Sequence, residues 1–268
     1  MTKLPIAIAL AGAVAFGAII TAIGAAQSGG SSFDSKQKDA INEMIEAYIN
    51  EHPEVILESL NTHLADRQSR EEERMATLGL ETAKDNLASL ISTDYGHVLG
   101  KDVANAKVSV IEFYDYHCGF CKRMTDDIKK IATQDPDVKV FLRELPVLSD
   151  QSVVAAEYAL AAAKQNRFSD LHFKLMSAQG TLTEDRILDY ARELGLDIAK
   201  LQNDYENGRD ESLKIFDENF RIADSVEQRA TPMFFVVADD GSYVDFIAGA
   251  RDADLKASIK EAKKAAKK

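Results

Sequence analysis

Hydrophobic residues between positions 34 and 92 recur at the spacing of amphipathic helices. Three apolar stripes follow one another, separated by Pro53 and by the charged stretch 67–74, and Asp34 with Gln37 resembles a capping box at the start of the first. Their members are Ile41, Met44, Ile45, Tyr48 and Ile49, then Ile56, Leu57, Leu60 and Leu64, then Leu80, Ala83, Leu87, Leu90 and Ile91. Short helices need a surface on which to bury such a stripe. We therefore expect residues 27–92 to form a helical segment that packs on the following domain or, as a possible homo-oligomer through residues 34–92, on another copy.

From residue 93 onward the pattern changes to alternating strands and helices. A nearly continuous apolar run at 107–114, typical of a strand buried on both faces, precedes a helix that opens at Cys118. Later elements are a strand at 138–143, five helices at 150–165, 168–178, 184–194, 198–206 and 211–226, strands at 233–237 and 243–247, and a helix from about Asp252. The order predicts an α/β domain over 93–268, in which a helical subdomain at about 147–229 is inserted into a mixed sheet.

The first residues of the chain determine the expected compartment. Positions 4–26 contain no charged residue, and Lys3 precedes them. A secretory signal has a basic start, an apolar core and a cleavage site of small residues, which 24–26 would provide. The run is also long enough for an uncleaved membrane anchor, and both alternatives stay open. Either one places the remaining chain outside the cytoplasm, where a cysteine pair can form a disulfide.

Composition narrows the classes of partner and site. With 32 Lys and Arg against 44 Asp and Glu, the formal net charge is −12, and an acidic protein repels the phosphate backbone of nucleic acids. We predict no nucleic-acid partner. Two cysteines are too few for a disulfide-rich scaffold or a four-cysteine zinc site. We predict no resident metal and no cofactor, and both cysteines lie in the segment Cys118-Gly119-Phe120-Cys121.

This Cys-x-x-Cys motif, at the junction of a buried strand and a helix, is placed for redox chemistry. Because the start of a helix stabilises a thiolate, we expect Cys118 to be the exposed nucleophile and Cys121 the more buried resolving thiol. A structural disulfide would gain little, since it would close a loop of only two residues. We interpret His117 as an imidazolium that stabilises the thiolate; with the cysteines it would otherwise bind Cu(I).

Two further features bear on this chemistry. Glu112 lies six residues before Cys118 in an otherwise apolar strand. A buried acid there would exchange protons with Cys121, whereas at the strand edge it would be an ordinary carboxylate in water. Thr231-Pro232 opens the strand after the insertion. A cis bond would turn its backbone groups toward an extended substrate, whereas a trans proline would simply start the strand.

These residues resemble a known family. Positions 113–122, FYDYHCGFCK, are similar to the active-site segment of DsbA-like thioredoxin-fold proteins. In that comparison Glu112 stands at the position of their buried acid, Thr231-Pro232 at their cis-proline loop, and the insertion at their inserted domain. Positions 33–64 resemble the N-terminal helical segment of the suppressor-of-copper-sensitivity C (ScsC) group. In some members this segment oligomerises the protein and confers isomerase behaviour.

The resemblance implies a thioredoxin-like fold with an inserted helical subdomain and an N-terminal helical segment. It implies a periplasmic thiol:disulfide oxidoreductase, an oxidase or an isomerase, either soluble after signal cleavage or tethered to the inner membrane by residues 4–26. Its substrates would be secreted or periplasmic proteins with cysteines, bound by Thr231, Pro232 and the apolar surface around Phe120, and a membrane redox partner would recycle its thiols. The alternative is an anchored oligomer that holds copper or unfolded proteins, with the thiols as ligands.

Overall fold

The computed structural model describes residues 33–266, and the chain divides into two compact units between Asp66 and Arg67. The candidate signal or anchor at 4–26 lies outside the described residues. Within residues 33–266, no helix combines the length and apolar character that a membrane crossing requires. The domain limits expected from the sequence, with a boundary after residue 92 and an insertion at about 147–229, stay predictions.

The N-terminal helices are longer than the apolar stripes predict. Helix α1 spans Ser35–Glu51 and begins at the predicted capping box, in which Gln37 N donates to Asp34 Oδ1 over 2.8 Å and Asp34 N donates to Gln37 Oε1 over 3.0 Å. Helix α2 runs without a break from Pro53 to Asp85, and the short helix α3 spans Leu87–Leu90. The charged stretch at 67–74 is therefore helical, because Glu and Arg are good helix formers and the Glu71–Arg74 pair, at 2.7 Å, lies one turn apart.

The apolar stripe of the first unit is exposed. Its large apolar side chains have relative exposures between 40% and 64%, and they are Met44, Ile45, Tyr48, Ile49, Val55, Ile56, Leu57, Leu60 and Leu64. A continuous exposed apolar face of this kind is typical of an interaction surface.

A five-stranded mixed sheet organises the second unit. Its strands are β1 (His97–Leu99), β2 (Val108–Tyr114), β3 (Val138–Glu144), β4 (Met233–Ala238) and β5 (Val244–Ala248), in the order β1-β3-β2-β4-β5. Strands β2 and β3 are parallel, with Glu112 opposite Leu142, and the other pairs are antiparallel. The sequence pattern missed β1, because three half-buried residues show no alternation. The α/β fold class with a helical insertion is confirmed.

Helices cover the sheet on both faces. Helix α4 (Gly119–Gln134) follows β2, and the inserted helices are α5 (Asp150–Ala163), α6 (Phe168–Ser177), α7 (Glu184–Glu193), α8 (Ile198–Asn207) and α9 (Arg209–Ser225). Helix α10 (Asp252–Ala265) ends the described chain. One face of the sheet shares a core with α4 and the insertion, built from residues that include Val110, Tyr114, Leu142, Met124, Ile128 and Leu171. The other face packs on α3 and α9 through residues that include Ile111, Phe113, Phe235, Leu90 and Ile222.

Candidate active site

The Cys-x-x-Cys motif lies at the carboxyl end of β2, the central strand of the sheet. Cys118 is the N-cap residue of α4, and its Sγ accepts a hydrogen bond from Cys121 N over 3.4 Å. Its backbone N–H donates to Asp115 O over 3.0 Å, which fixes the turn between strand and helix. Both cysteines are unbonded, so the structure describes the dithiol form.

The surroundings of Cys118 favour its thiolate. Its pKa is lowered to about 6, first because the Cys121 thiol donates a hydrogen bond to its sulfur, and further through Thr231 and the backbone N–H groups of Cys121 and Phe120. Burial opposes this effect, since Cys118 is only 5% exposed. The expectation that the nucleophile is exposed is therefore wrong, because Cys118 is largely buried. Cys118 is the more accessible of the two thiols, because Cys121 is fully buried.

Cys121 and Glu112 form the buried, protonated side of the pair. Burial raises the pKa of Cys121 strongly, and its hydrogen bond to Cys118 and the negative charge of Glu112 raise it further. Glu112 is 2% exposed, and its Oε1 has no hydrogen-bond partner among the described residues. Burial, and then the charge of Cys118, raise the pKa of Glu112 to about 8. Of the two alternatives for Glu112, the structure has the buried acid.

Thr231, which precedes Pro232, lies beside the Cys118 thiol, and Phe120 lies in the first turn of α4. The Thr231–Pro232 peptide bond is cis, and Cys118 Sγ lies 3.1 Å from Thr231 O. Pro232 is buried, whereas Phe120 is 57% exposed and carries the Arg123 guanidinium 4.4 Å above its ring. The fold thus brings together residues that are more than a hundred positions apart in the sequence.

The interpretation of His117 as an imidazolium is corrected by its contacts. Its Nε2 accepts a hydrogen bond from Leu182 N over 3.0 Å, and its Nδ1 lies 3.0 Å from Ser152 Oγ. Only a neutral ring accepts from a backbone N–H. Burial, as the main cause, also lowers the pKa of His117. His117 therefore joins the active-site loop to the helical insertion, and it does not supply a positive charge to Cys118.

Asp115 anchors the same loop, and the sequence reasoning missed it. Its carboxylate is 1% exposed and accepts four hydrogen bonds. Oδ1 accepts from His117 N over 2.7 Å and from Ser152 Oγ over 2.8 Å, and Oδ2 accepts from Val147 N over 2.9 Å and from Leu148 N over 3.0 Å. An aspartate just beyond a strand often satisfies loop backbone in this way, so its position was the available signal.

A second buried acid lies on the face of the sheet that carries Glu112. Glu144 Oε1 accepts from Tyr114 OH over 2.5 Å and from Tyr116 OH over 3.1 Å, and Tyr116 OH also lies 3.0 Å from His172 Nδ1. Burial raises the pKa of Glu144 to about 8. The sequence does not reveal this cluster, because its members come from β2, the loop that follows it, β3 and α6.

Residues 33–266 contain no group of three or more His, Cys, Asp or Glu side chains arranged to hold a metal ion.

Comparison with known proteins places these features in a family. The model of the DSBA-like thioredoxin domain matches residues 109–259. A thioredoxin-like oxidoreductase from Silicibacter pomeroyi is 30% identical, with a TM-score of 0.57 over 65% of this chain and 94% of that chain. The catalytic domain of Proteus mirabilis ScsC is 25% identical, with a TM-score of 0.57 over 68% of this chain and 97% of that chain.

Curated relatives include much longer proteins. The Na(+)/H(+) antiporter NhaA 1 of Salinispora arenicola is 30% identical over 163 residues, which are 60% of this chain and 24% of the antiporter. The chain thus spans about a quarter of the length of the curated relatives it matches. The resemblance to DsbA-like proteins of the ScsC type, drawn from the sequence, is confirmed. Because the family match includes β2 from its second residue, both cysteines, the helical insertion and the Thr231-Pro232 loop, the chain belongs to the family of DsbA-like thioredoxin domains.

Proposed function

We propose that the protein is a periplasmic thiol:disulfide oxidoreductase that exchanges disulfides with secreted proteins through Cys118 and Cys121. The observation that carries the proposal is the opposite perturbation of two neighbouring thiols. The pKa of Cys118 is lowered to about 6, whereas that of Cys121 is raised by burial. At neutral pH one sulfur is a thiolate that attacks or leaves readily, and the other is a thiol.

In the oxidase direction, a substrate thiolate attacks Cys118 Sγ in the Cys118–Cys121 disulfide. The S–S bond breaks, and Cys121 leaves with the electron pair. Because the pKa of Cys121 is high, its sulfur takes up a proton, which Glu112 supplies. A second substrate thiolate then attacks the substrate sulfur of the mixed disulfide, and Cys118 leaves as a stable thiolate. The substrate loses two electrons and the pair gains them. As an isomerase, the protein starts from the dithiol, and the Cys118 thiolate attacks a substrate disulfide.

The surroundings of Cys118 suit an extended and poorly specified substrate. Backbone of Thr231 lies beside the reacting sulfur, and Phe120 offers an exposed apolar ring at the helix start. Backbone hydrogen bonds and apolar contacts depend little on the sequence of the substrate. Secreted proteins with many different residues around their cysteines therefore fit the site. A membrane redox partner would return the pair to its working state.

Replacing the nucleophile tests the proposal. We expect Cys118→Ser to abolish both oxidation of a reduced model protein and refolding of a scrambled one. Thr133→Ser, at the other end of the same helix, is the matched control and should retain both activities. Wild type and Cys118→Ser that are equally active, or equally inactive, in both assays would overturn the proposal. The redox state of the pair in cells then assigns the direction, since a mainly oxidised pair indicates an oxidase and a mainly reduced pair an isomerase or a reductase.

We also propose that the exposed stripe of α1 and the first part of α2 is an interface between copies of the chain. Leu57 and Leu60 are at least half exposed, and pairing such faces removes them from water. The double variant Leu57→Glu/Leu60→Glu should lower the mass in light scattering. Asn61→Glu/Thr62→Glu, with the same added charge on exposed polar positions, should not. A wild-type protein that is already monomeric would contradict the proposal.

A further inference from the structure

A cavity of about 420 Å³ lies outside the active site, between the helical insertion and the segment that leads into β1. Side chains of α5, α6, α8 and α9 line it, and neither cysteine does. The lining mixes carboxylates with aromatic and aliphatic groups. Among the described residues that line it, Lys164 is the single Lys or Arg.

The central feature of the cavity is Glu157 of α5. This residue is 6% exposed, and its Oε1 forms no hydrogen bond with any described residue. Burial raises the pKa of Glu157. The charge of Arg209 and a hydrogen bond with Tyr205 lower this pKa, but the effect of burial is larger. A buried carboxylate oxygen without a partner is costly, so a cationic donor in the cavity would remove that cost.

An aromatic wall adjoins this acid. The His97 ring stacks on the Phe168 ring, with centroids 4.1 Å apart and planes 24° apart. Burial lowers the pKa of His97, so the ring is neutral and does not repel a cation. Aromatic faces attract ammonium and guanidinium groups. Leu160 and Ile215 complete an apolar lining that suits an aliphatic stem.

The carboxylates that line the cavity outnumber the cations that pair with them, so the lining favours an added cation. Lys164 pairs with Glu211 over 2.7 Å, and Asp204 pairs with Lys200 over 2.6 Å. Glu157 and Asp94 line the same cavity, and neither forms an ion pair within residues 33–266. Within this range no three His, Cys, Asp or Glu side chains are arranged to hold a metal ion, so the lining suits an organic cation better than a metal.

We propose that this cavity binds an alkylammonium or guanidinium group on a short aliphatic stem, with Glu157 as its counter-ion. A free diamine and a Lys or Arg side chain of a bound polypeptide share this chemistry. The cavity is separate from the thiols, so this proposal does not depend on whether Cys118 and Cys121 act as an oxidase.

Calorimetric titration of the full chain tests the proposal. The probes are butane-1,4-diamine, butylammonium, the blocked amide of lysine, and pentan-1-ol as an uncharged analogue. We expect saturable binding of the cations and none of the alcohol. Binding of the blocked lysine assigns the source to a polypeptide side chain, and binding of the free amines alone assigns it to a small metabolite.

Two variants separate Glu157 from general acidity. Glu157→Gln keeps the shape and removes the charge, and it should weaken cation binding about tenfold or more, as expected for a charge-assisted hydrogen bond. Glu206→Gln, on the exposed side of the neighbouring α8, should leave the affinity unchanged. Equal affinity in Glu157→Gln and wild type, or no saturation by any cation, would overturn the proposal. Amide shifts on titrating the wild type add a readout that needs no variant, since shifts away from α5, α6, α8 and α9 would also refute it.

Discussion

Replacing Glu112 by glutamine changes the pH dependence of stability, because this acid is buried without a hydrogen-bond partner for Oε1. Glutamine has nearly the same shape and does not titrate. In the unfolded chain the carboxyl loses its proton near pH 4.5, whereas in the folded protein its pKa is about 8. The stability that Glu112 contributes is therefore fully present below about pH 4.5 and is lost as the pH rises to about 8.

The size of the effect follows from this window. Each pH unit within it costs the folded wild type about 1.4 kcal/mol relative to the unfolded chain. The accumulated loss is about 3 kcal/mol at pH 7 and about 4 kcal/mol at pH 8. The Glu112→Gln variant loses none of this, so its stability relative to wild type should rise steadily with pH.

Urea unfolding of the reduced proteins at several pH values between 5 and 8 measures the difference. Titration of Cys118 and Glu144 is common to both proteins and cancels when the two curves are subtracted. Glu206→Gln, at an exposed position, is the matched control. A wild-type-minus-variant difference that stays constant across this range would refute the reasoning, since it would mean that Glu112 is ionised in the folded protein at every pH tested.

The same variant should slow disulfide exchange about a hundredfold, the range of a lost general acid. The pKa of Cys118 should not change, because near pH 6 Glu112 is neutral and the substitution removes no charge there. Ultraviolet absorbance of the thiolate measures that pKa. A large change in it would show that Glu112 acts on Cys118 and not on Cys121.

Three further predictions concern the side chains around the thiols. Asp115→Asn should destabilise the protein by about 3 kcal/mol in urea unfolding, because the amide group would place its N–H donors against two backbone N–H donors. The exposed Asp126→Asn is the control. Equal urea midpoints for Asp115→Asn and wild type would contradict the anchor role of Asp115. Cys121→Ala should raise the pKa of Cys118 in thiolate absorbance, because it removes the largest stabilising hydrogen bond; an unchanged pKa would be inconsistent with that cause. His117→Gln should leave the pKa of Cys118 nearly unchanged, and a marked rise would restore the imidazolium interpretation.

Local pattern predicted most of the elements. Strands β2 to β5 and the five inserted helices begin and end within two residues of the predicted limits, because their periodicity and their glycine and proline boundaries are properties of short stretches. The Cys-x-x-Cys pair and the Thr-Pro step were also visible, since each is a short motif with its own chemistry. Strand β1 was missed because its three residues show no strand pattern of their own, and its pairing with β3 is a long-range contact.

Side-chain roles that depend on long-range contacts could not be predicted in this way. His117 lies next to Cys118 in the sequence, yet Leu182 and Ser152, from the insertion, determine its neutral state. Sequence alone left Glu112 either in water or buried, and the covering of β2 by neighbouring strands and helices decided between them. Glu144 and Glu157 look like ordinary acids in the sequence, and only burial distinguishes them.

The sequence by itself determined that two cysteines stand at a strand–helix junction upstream of a Thr-Pro step, which already indicates a redox pair. The position of Cys118 at the start of the helix already indicated that it is the thiolate. The tertiary structure decided that Glu112 is buried and raises the pKa of Cys121, and that His117 is neutral. The physical reason is that a pKa depends on desolvation and on charges and hydrogen bonds a few ångströms away. For the two thiols those neighbours include Glu112 of β2 and Thr231, which precedes β4, and only folding brings them to the start of α4.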